Sequence, residues 1–251
     1  MAPLTYVSTR GAAPEIGFSD VLLAGLAIDG GLYVPSEWPS LTVGSLERFA
    51  SMSYAEIAVE VMWPFVAGSF DRDTFEAIVS DAYATFGVEE VVPLVDLDDN
   101  FWLAELFHGP TLAFKDIALQ LVGRLFDDEL TRRGEKVTIV GATSGDTGSA
   151  AIDGVAGRAK IDIFMLHPAG RVSDVQRRQM TTVFAPNVYN IAIDGSFDDA
   201  QAIVKALFND RDFNGRFTLS AVNSINWARL MAQVVYYFYT AVRLGAPERP
   251  V

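Results

Sequence analysis

The chain has 251 residues, of which 50% are hydrophobic and 20% are charged, a composition typical of a globular protein with a buried core. It contains no cysteine, which excludes disulfides, thiol nucleophiles and every metal site that needs thiolate ligands. Asp and Glu number 32 against 19 Lys and Arg, and this net charge of -13 disfavours binding to nucleic acids and anionic membranes. The first ten residues lack the order of a signal peptide, and no apolar stretch reaches the ~20 residues of a transmembrane helix, so we expect a cytoplasmic protein.

The first 90 residues are predicted to be mainly helical, with loops between the helices. The apolar segment Phe18–Leu26 predicts one helix, and residues 29–31 (Asp-Gly-Gly) predict a turn after it. Further along, Ile57, Val61 and Phe65 recur at a spacing of four, which places them on one helical face. The next helix has a similar face, formed by Phe75, Ile78, Val79, Tyr83 and Phe86. We interpret both faces as parts of a hydrophobic core.

From residue 91 onwards, short apolar runs alternate with helical patterns. The predicted strands are Phe101–Leu106, Lys136–Val140, Ile161–Leu166, Asn187–Ile193 and Phe217–Ala221. The predicted helices are Leu112–Leu130, Thr147–Ala156, Asp174–Met180, Asp198–Phe208 and Ile225–Val242. This alternation predicts an α/β fold with a mainly parallel sheet covered by helices. We therefore expect two domains, a helical one at 1–90 and an α/β one at 91–251.

A glycine-rich segment, residues 141–149 (GATSGDTGS), lies between a predicted strand and a predicted helix. Backbone N–H groups and a helix N-terminus form an anion site in that context. The segment lacks the lysine of a P-loop and the glycine spacing of a dinucleotide-binding loop. Its hydroxyl groups, on Thr143, Ser144 and Thr147, suit a carboxylate or a phosphate. An ordinary strand–helix turn with a Thr or Ser cap remains the alternative.

Lys115 is unusual among the four lysines because the predicted helix surrounds it with apolar side chains. Its neighbours three, four and seven positions later are Ala118, Leu119 and Val122. Burial among them would favour the neutral amine, the form that attacks a carbonyl group. The alternative is a lysine that reaches solvent or pairs with Asp116.

Histidine is scarce, and no spacing of possible ligands predicts a metal site. The two histidines, His108 and His167, lie far apart in the sequence. His108 precedes a Gly-Pro turn just before Lys115, so a structural role and a proton-transfer role both stay open.

Five segments of the chain resemble the threonine synthase family, in the order in which that family carries them. Residues 105–116 (ELFHGPTLAFKD) closely resemble the family segment that carries the pyridoxal phosphate lysine. The other similar segments are 5–11 (TYVSTRG), 25–35 (GLAIDGGLYVP), 141–151 (GATSGDTGSAA) and 224–229 (SINWAR). The resemblance covers essentially the whole chain, as the N-terminal portion of the full-length enzyme.

This resemblance implies a fold-type-II pyridoxal phosphate enzyme that converts O-phosphohomoserine and water into threonine and phosphate. Lys115 would be the catalytic residue and would hold pyridoxal 5'-phosphate as a Schiff base, with Phe114 and Asp146 also contacting the cofactor. The substrate carboxylate would contact Thr143, Ser144, Gly145, Thr147 and Gly148. The substrate phosphate would contact Asn223, Asn226 and Arg229. For these last three residues, capping and surface pairing around the final helix is the alternative.

Members of the threonine synthase family are considerably longer than this chain. In the family, the loop that holds the cofactor phosphate follows the position of the last residue here. We therefore expect the chain alone to bind pyridoxal phosphate weakly and to turn over little or nothing. Two other functions stay open at this point: a related phospho-lyase that releases a keto acid, and a non-catalytic fragment that keeps the fold. The oligomeric state also stays open.

Overall fold

The computed structural model describes residues 3–220 and 226–249 of the chain. These residues divide into two compact units. The first unit combines residues 1–121 with residues 225–251, and the second contains residues 122–224.

The helices and strands are numbered in chain order. The first unit contains β1 (Thr5–Ser8), β2 (Ile16–Gly17), α1 (Phe18–Ala24), β3 (Tyr33–Pro35), α2 (Val43–Phe49), α3 (Tyr54–Val66), α4 (Arg72–Tyr83), β4 (Leu94–Asp98), β5 (Phe101–Ala104) and α10 (Trp227–Arg243). The second contains β6 (Val137–Ala142), α6 (Asp146–Val155), β7 (Ile161–Pro168), α7 (Asp174–Thr181), β8 (Val188–Ile193), α8 (Phe197–Asn209), α9 (Arg211–Arg216) and β9 (Leu219–Ser220). Helix α5 (Asp116–Arg133) begins in the first unit and continues into the second.

The core of the first unit is built by α3, which packs against α4 and α10. Ile57, Val61 and Phe65 are all buried, as the sequence predicts, and so are Phe75 and Val79 of α4. Helix α3 begins at a capping box, in which Ser53 and Glu56 satisfy each other's backbone N–H groups. The first predicted face is therefore confirmed as core. The second is confirmed in part, because Ile78 is only half-buried and Phe86, although buried, lies after the end of α4.

The first 90 residues also contain a small antiparallel sheet that the sequence analysis missed. Its order is β2-β1-β3, and its strands have only two to four residues. Strands this short do not span enough residues for an alternating pattern to stand out.

The predicted strand at Phe101–Leu106 exists as β5 but does not belong to the parallel sheet. It pairs antiparallel with β4 in a separate two-stranded hairpin. The side chains of this hairpin are largely exposed, and Phe101 is 62% exposed. The expectation that the α/β alternation begins with this strand is therefore wrong.

The second unit is built around a four-stranded sheet of order β8-β7-β6-β9, in which every neighbouring pair is parallel. The central strands are apolar, and Ile139 and Ile163 are almost completely buried. Helices α5 and α6 pack closely, because a Cβ added at Gly123 would lie 2.1 Å from the carbonyl oxygen of Gly154. The predicted parallel α/β architecture is confirmed.

Within the described ranges 3–220 and 226–249, no helix is both long enough and apolar enough to cross a membrane. The same residues contain no cluster of three or more His, Asp or Glu side chains placed to hold a metal ion.

Candidate active site

Lys115 lies in a turn of the first unit, immediately before α5. Its side chain is half-buried, and its Nζ lies 4.8 Å from the centre of the Phe114 ring. Its carbonyl oxygen accepts the backbone N–H of Leu119 at 2.9 Å, so the backbone of Lys115 is joined to the first turn of α5. The structure therefore places a primary amine at the start of a long helix, next to an aromatic ring that is 40% exposed.

The prediction that this helix begins at Leu112 is wrong, because α5 begins at Asp116. Leu112 has a φ of 60°, a left-handed conformation that a leucine rarely adopts and that a helix cannot contain. Lys115 is thus not surrounded by apolar residues on a helical face, as the spacing predicted. It projects from a turn whose conformation the apolar spacing does not encode.

His108 is paired with an acidic residue just upstream of the lysine turn. Its Nε2 lies 2.7 Å from Oε2 of Glu105, and both side chains are mostly buried. The carbonyl oxygen of His108 accepts the N–H of Gly87 at 2.9 Å. These contacts give His108 a structural role in joining two segments of the first unit.

The glycine-rich turn lies in the second unit, between β6 and α6, and Thr143 organises it. The Thr143 hydroxyl accepts hydrogen bonds from the N–H groups of Gly145 at 3.0 Å and Gly148 at 2.9 Å. Thr143 is only 2% exposed. Its hydroxyl therefore acts within the turn, as the cap that the alternative interpretation describes.

Gly145 and Gly148 of this turn are required by close contacts. A Cβ at Gly145 would lie 2.2 Å from Oε1 of Gln176, and one at Gly148 would lie 2.5 Å from Cγ2 of Thr143. Met180 is equally close, with its sulfur 2.7 Å from the Cβ position at Gly148. Both Gln176 and Met180 belong to α7, so this helix packs directly on the N-terminus of α6.

The remaining residues of the turn are more accessible. Ser144 is exposed, whereas Asp146 and Thr147 are half-buried in the first turn of α6. The positive end of the helix dipole and the N-terminal N–H groups make this position favourable for an anion. The structure thus brings together the six predicted residues from Thr143 to Gly148 in one turn.

Two of the three predicted phosphate-binding residues, Asn226 and Arg229, lie at the start of α10. Asn226 is buried and caps this helix: its side chain accepts the N–H of Ala228 at 2.9 Å and donates to the carbonyl oxygen of Leu22 at 2.8 Å. Arg229 is also buried, at 3% exposure. Asn223 lies outside the described residues. The contacts of Asn226 are those of the capping alternative.

The sequence analysis missed two residues that shape these segments. Asp116 is completely buried and accepts hydrogen bonds from Thr111, and Gln176 covers the turn at Gly145. The predicted helix began at Leu112, which placed Asp116 inside the helix rather than at its start, so Asp116 carried no signal of its buried contacts. Nothing in the spacing indicates that α7 packs against the glycine-rich turn.

A family profile described as pyridoxal-phosphate dependent enzyme matches residues 87–249. The chain belongs to this family. A second profile, described as threonine synthase N terminus, matches residues 5–83 of the chain. Both the lysine turn and the glycine-rich turn fall within the larger match.

Proteins named threonine synthase are similar to almost the whole chain. The one from Pseudomonas aeruginosa is 57% identical over 248 residues, which are 99% of this chain and 53% of that protein. The one from Schizosaccharomyces pombe is 47% identical and aligns with 94% of this chain. A protein named threonine synthase-like 2, from Xenopus laevis, is less similar at 39% identity. The chain spans about half the length of the curated relatives it matches.

Solved structures give the same result for the fold. A crystal structure of threonine synthase with bound PLP, from Brucella melitensis, superimposes with a TM-score of 0.96 at 56% identity. It aligns with 99% of this chain, which corresponds to 53% of that structure. The yeast threonine synthase structure aligns with a TM-score of 0.93 at 41% identity. The fold of this chain is therefore that of the first half of these fold-type-II enzymes.

Proposed function

We propose that this chain supplies the lysine and the substrate-carboxylate site of a threonine synthase. The enzyme converts O-phosphohomoserine and water into threonine and phosphate, with pyridoxal phosphate as cofactor. The main support is the 57% identity to the Pseudomonas aeruginosa threonine synthase over 99% of this chain. The identity to the protein named threonine synthase-like 2 is lower, at 39%, which also favours the synthase. The net charge of -13 disfavours nucleic acids and anionic membranes as partners, so we assign a small-molecule substrate. We propose the cytoplasm as the location of the protein.

Two features of the described residues fit this cofactor. Lys115 offers a half-buried primary amine beside the exposed ring of Phe114, which suits an aldehyde on an aromatic ring. Of the other lysines, Lys136 is engaged with Asp162 at 2.7 Å and Lys205 is exposed on α8. Lys160 is half-buried directly before β7, but it lies outside residues 105–116, the segment that resembles the family's cofactor-lysine segment. Lys115 is therefore the residue that would hold the cofactor. Asp146 and Phe114 are assigned to contact it as well.

The chain's own residues have separate tasks in the reaction. Pyridoxal phosphate supplies an aldehyde that bonds to amines and a ring that accepts electron density. The Lys115 amine takes a proton from Cα of the substrate and moves protons at Cβ. Loss of the γ-phosphate would be followed by protonation at Cγ and addition of water at Cβ, and a proton would return to Cα. The amino group would stay on the product.

The glycine-rich turn is assigned to the substrate carboxylate. The N-terminal amides of α6 and the Ser144 and Thr147 hydroxyls would bind it and hold Cα in place. Thr143, Gly145 and Gly148 would contribute by shaping the turn and presenting their backbone. For the substrate phosphate, Arg229 would supply the positive charge, and Asn223 and Asn226 would supply neutral hydrogen-bonding groups.

We also keep the predicted division into a domain at 1–90 and a domain at 91–251 as part of this proposal.

Covalent trapping tests the cofactor assignment directly. The full chain is incubated with pyridoxal phosphate, reduced with borohydride and digested, and the labelled lysines are identified by mass spectrometry. We expect the label on Lys115, and Lys115→Ala should abolish it, whereas Lys205→Ala should leave it unchanged. A label distributed evenly over the four lysines would contradict the proposal.

The reaction itself is tested in a chimera. This chain replaces the 57%-identical half of the Pseudomonas aeruginosa threonine synthase, so that the second half is supplied by a relative. We expect the chimera to form threonine and phosphate from O-phosphohomoserine, and Lys115→Ala to remove the activity. A keto acid as the product would instead identify the phospho-lyase. A chimera that folds and traps the cofactor but forms neither product would support the non-catalytic alternative.

A further inference from the structure

Asp116 is a buried carboxylate at the first position of α5, directly after Lys115. It is 0% exposed, and both of its oxygens accept hydrogen bonds from Thr111. Oδ2 accepts the backbone N–H of Thr111 at 2.7 Å, and Oδ1 accepts the Thr111 hydroxyl at 2.6 Å. The positive end of the α5 dipole favours a negative charge at this position. A short charge-assisted clamp therefore joins the helix to the turn before the lysine.

The turn held by this clamp is tight and strained. A Cβ added at Gly109 would lie 2.4 Å from Cβ of Asp116, so the carboxylate side chain fits only against a glycine. The N–H of Leu112 bonds to the carbonyl oxygen of Gly109 at 3.1 Å, and Leu112 itself has a φ of 60°. The side chain of Leu112 is 69% exposed, so its burial does not stabilise the unusual backbone. Hydrogen bonds such as those from Thr111 must therefore offset the strain.

The clamp bears on Lys115 because it acts on the residues that precede the lysine. On the C-terminal side, the carbonyl oxygen of Lys115 is bonded to the N–H of Leu119 in α5. On the N-terminal side, the backbone at Thr111 is bonded to Asp116. The short segment between these points, which contains Phe114 and Lys115, is fixed at both ends. A fixed backbone limits the positions that the amine can reach, which raises its effective concentration at one site.

We propose that Asp116 is a positioning residue, whose buried carboxylate holds the strained turn at 109–112 so that Lys115 and Phe114 face the cofactor. This inference rests on the proposed function of Lys115. Asp116 itself touches neither cofactor nor substrate in this account. It acts through Thr111 and the backbone of the turn.

The experiment compares rates of reductive trapping of pyridoxal phosphate at Lys115 with those at Lys205, measured in the same molecules of the full chain. Lys205 is an exposed lysine on α8, so it reports the intrinsic reactivity of an unpositioned amine. Asp116→Asn keeps the shape and removes the charge: the amide oxygen can still accept the Thr111 N–H, but the amide NH2 cannot accept the Thr111 hydroxyl. We expect the ratio of the Lys115 rate to the Lys205 rate to fall about tenfold. Hydrogen exchange at the Thr111 amide should accelerate in the same variant.

Matched variants separate positioning from folding. Asp127→Asn makes the same chemical change further along α5, where Asp127 pairs with Arg158, and should leave the ratio unchanged. Thr111→Val removes only the hydrogen bond from the hydroxyl and should lower the ratio less than Asp116→Asn does. Thr111→Ser keeps this hydrogen bond and should give the wild-type ratio. If Asp116→Asn does not fold, the Val and Ser pair provides the same comparison.

The outcomes distinguish this inference from the function on which it rests. If the wild-type chain traps no cofactor preferentially at Lys115, the proposed function is wrong, and the exchange rate of the Thr111 amide alone reports on the clamp. If Lys115 is trapped preferentially and the ratio does not change in Asp116→Asn or Thr111→Val, the positioning role is overturned. An equal fall of both rates would also overturn it, because the effect would then be global.

Discussion

Thr143 shows how one side chain can determine the geometry of a whole turn. Its buried hydroxyl accepts the N–H groups of Gly145 and Gly148, which would otherwise lie without these bonds at the start of α6. The predicted anion site thus depends on an internal cap. The direct contacts proposed for the substrate fall to the more accessible Ser144 and Thr147.

Replacing Thr143 by Val tests this cap, because valine keeps the shape and removes the hydroxyl. We expect the free energy of unfolding to fall by about 1–3 kcal/mol, since the buried N–H of Gly145 loses its acceptor and that of Gly148 keeps only the Gly145 carbonyl oxygen. Chemical denaturation followed by circular dichroism measures the change. Thr143→Ser keeps the hydroxyl and loses only a methyl group, worth about 1 kcal/mol. Equal losses in the two variants would show that the hydroxyl does not support the turn.

At the level of single residues, the sequence singled out Lys115 as a candidate but did not predict how its backbone is held. The resemblance of residues 105–116 to a family segment was sufficient to propose this lysine. The sequence did not predict the left-handed conformation of Leu112 or the hydrogen bond between Asp116 and Thr111. The spacing of the apolar residues indicated a continuous helix from Leu112, which is incompatible with both features. Spacing reports which residues can share a helical face but not where the helix begins.

Helix α3 is stabilised at its start by the capping box of Ser53 and Glu56. The Glu56 carboxylate accepts the Ser53 backbone N–H at 2.7 Å and the Ser53 hydroxyl at 2.8 Å. These hydrogen bonds lower the pKa of Glu56 from its ordinary value of 4.5, and the bond from the Ser53 backbone has the larger effect. Because the folded-state pKa lies below the unfolded-state value, this carboxylate stabilises the fold at neutral pH. That stabilisation is lost as the pH falls through the folded-state pKa.

The matching variant is Glu56→Gln, which cannot ionise. We expect it to be less stable than the wild-type chain at pH 7 and to approach wild-type stability as the pH is lowered below 4.5. Unfolding in urea at a series of pH values measures the difference. A difference that stays constant from pH 7 to pH 3 would contradict this account, because it would then not arise from the charge.

At the level of elements, long patterned segments were predictable and short ones were not. The faces of α3 and α4 and the strands β6, β7 and β8 lie where the sequence placed them. The strands β1, β2 and β3 have too few residues to show a pattern, and their pairing depends on residues distant in the sequence. Strand β5 of the exposed hairpin is apolar on both faces, so its composition alone suggested a buried strand.

At the scale of the whole molecule, α10 follows the second unit in the sequence but belongs to the first unit. It packs against α3, and Met231 on the packed face is completely buried. A local pattern predicts that α10 is a helix, but it carries no information on which helices it meets. The assignment of residues to two compact units therefore required the structure.

Met231→Ala tests whether the two units respond separately. Removal of a buried methionine side chain typically lowers stability by about 2–5 kcal/mol. We expect amide hydrogen exchange to accelerate in α3 and α4, with a much smaller change in β6 and β7. Tyr237→Ala, at a position of the same helix that is 67% exposed, should change stability by less than about 0.5 kcal/mol. Equal acceleration in all of these elements would show that the units unfold as one.

The strand order β8-β7-β6-β9 has a consequence for synthesis on the ribosome. Strands β6, β7 and β8 pair with their sequence neighbours and can assemble as they emerge, whereas Thr138 in β6 must wait for Leu219 in β9. During that interval one side of β6 presents unpaired amide and carbonyl groups, the kind of edge to which other nascent chains attach. We expect a chaperone that binds extended apolar segments to raise the soluble yield of this chain, and a stop codon placed before β9 to direct the product into aggregates.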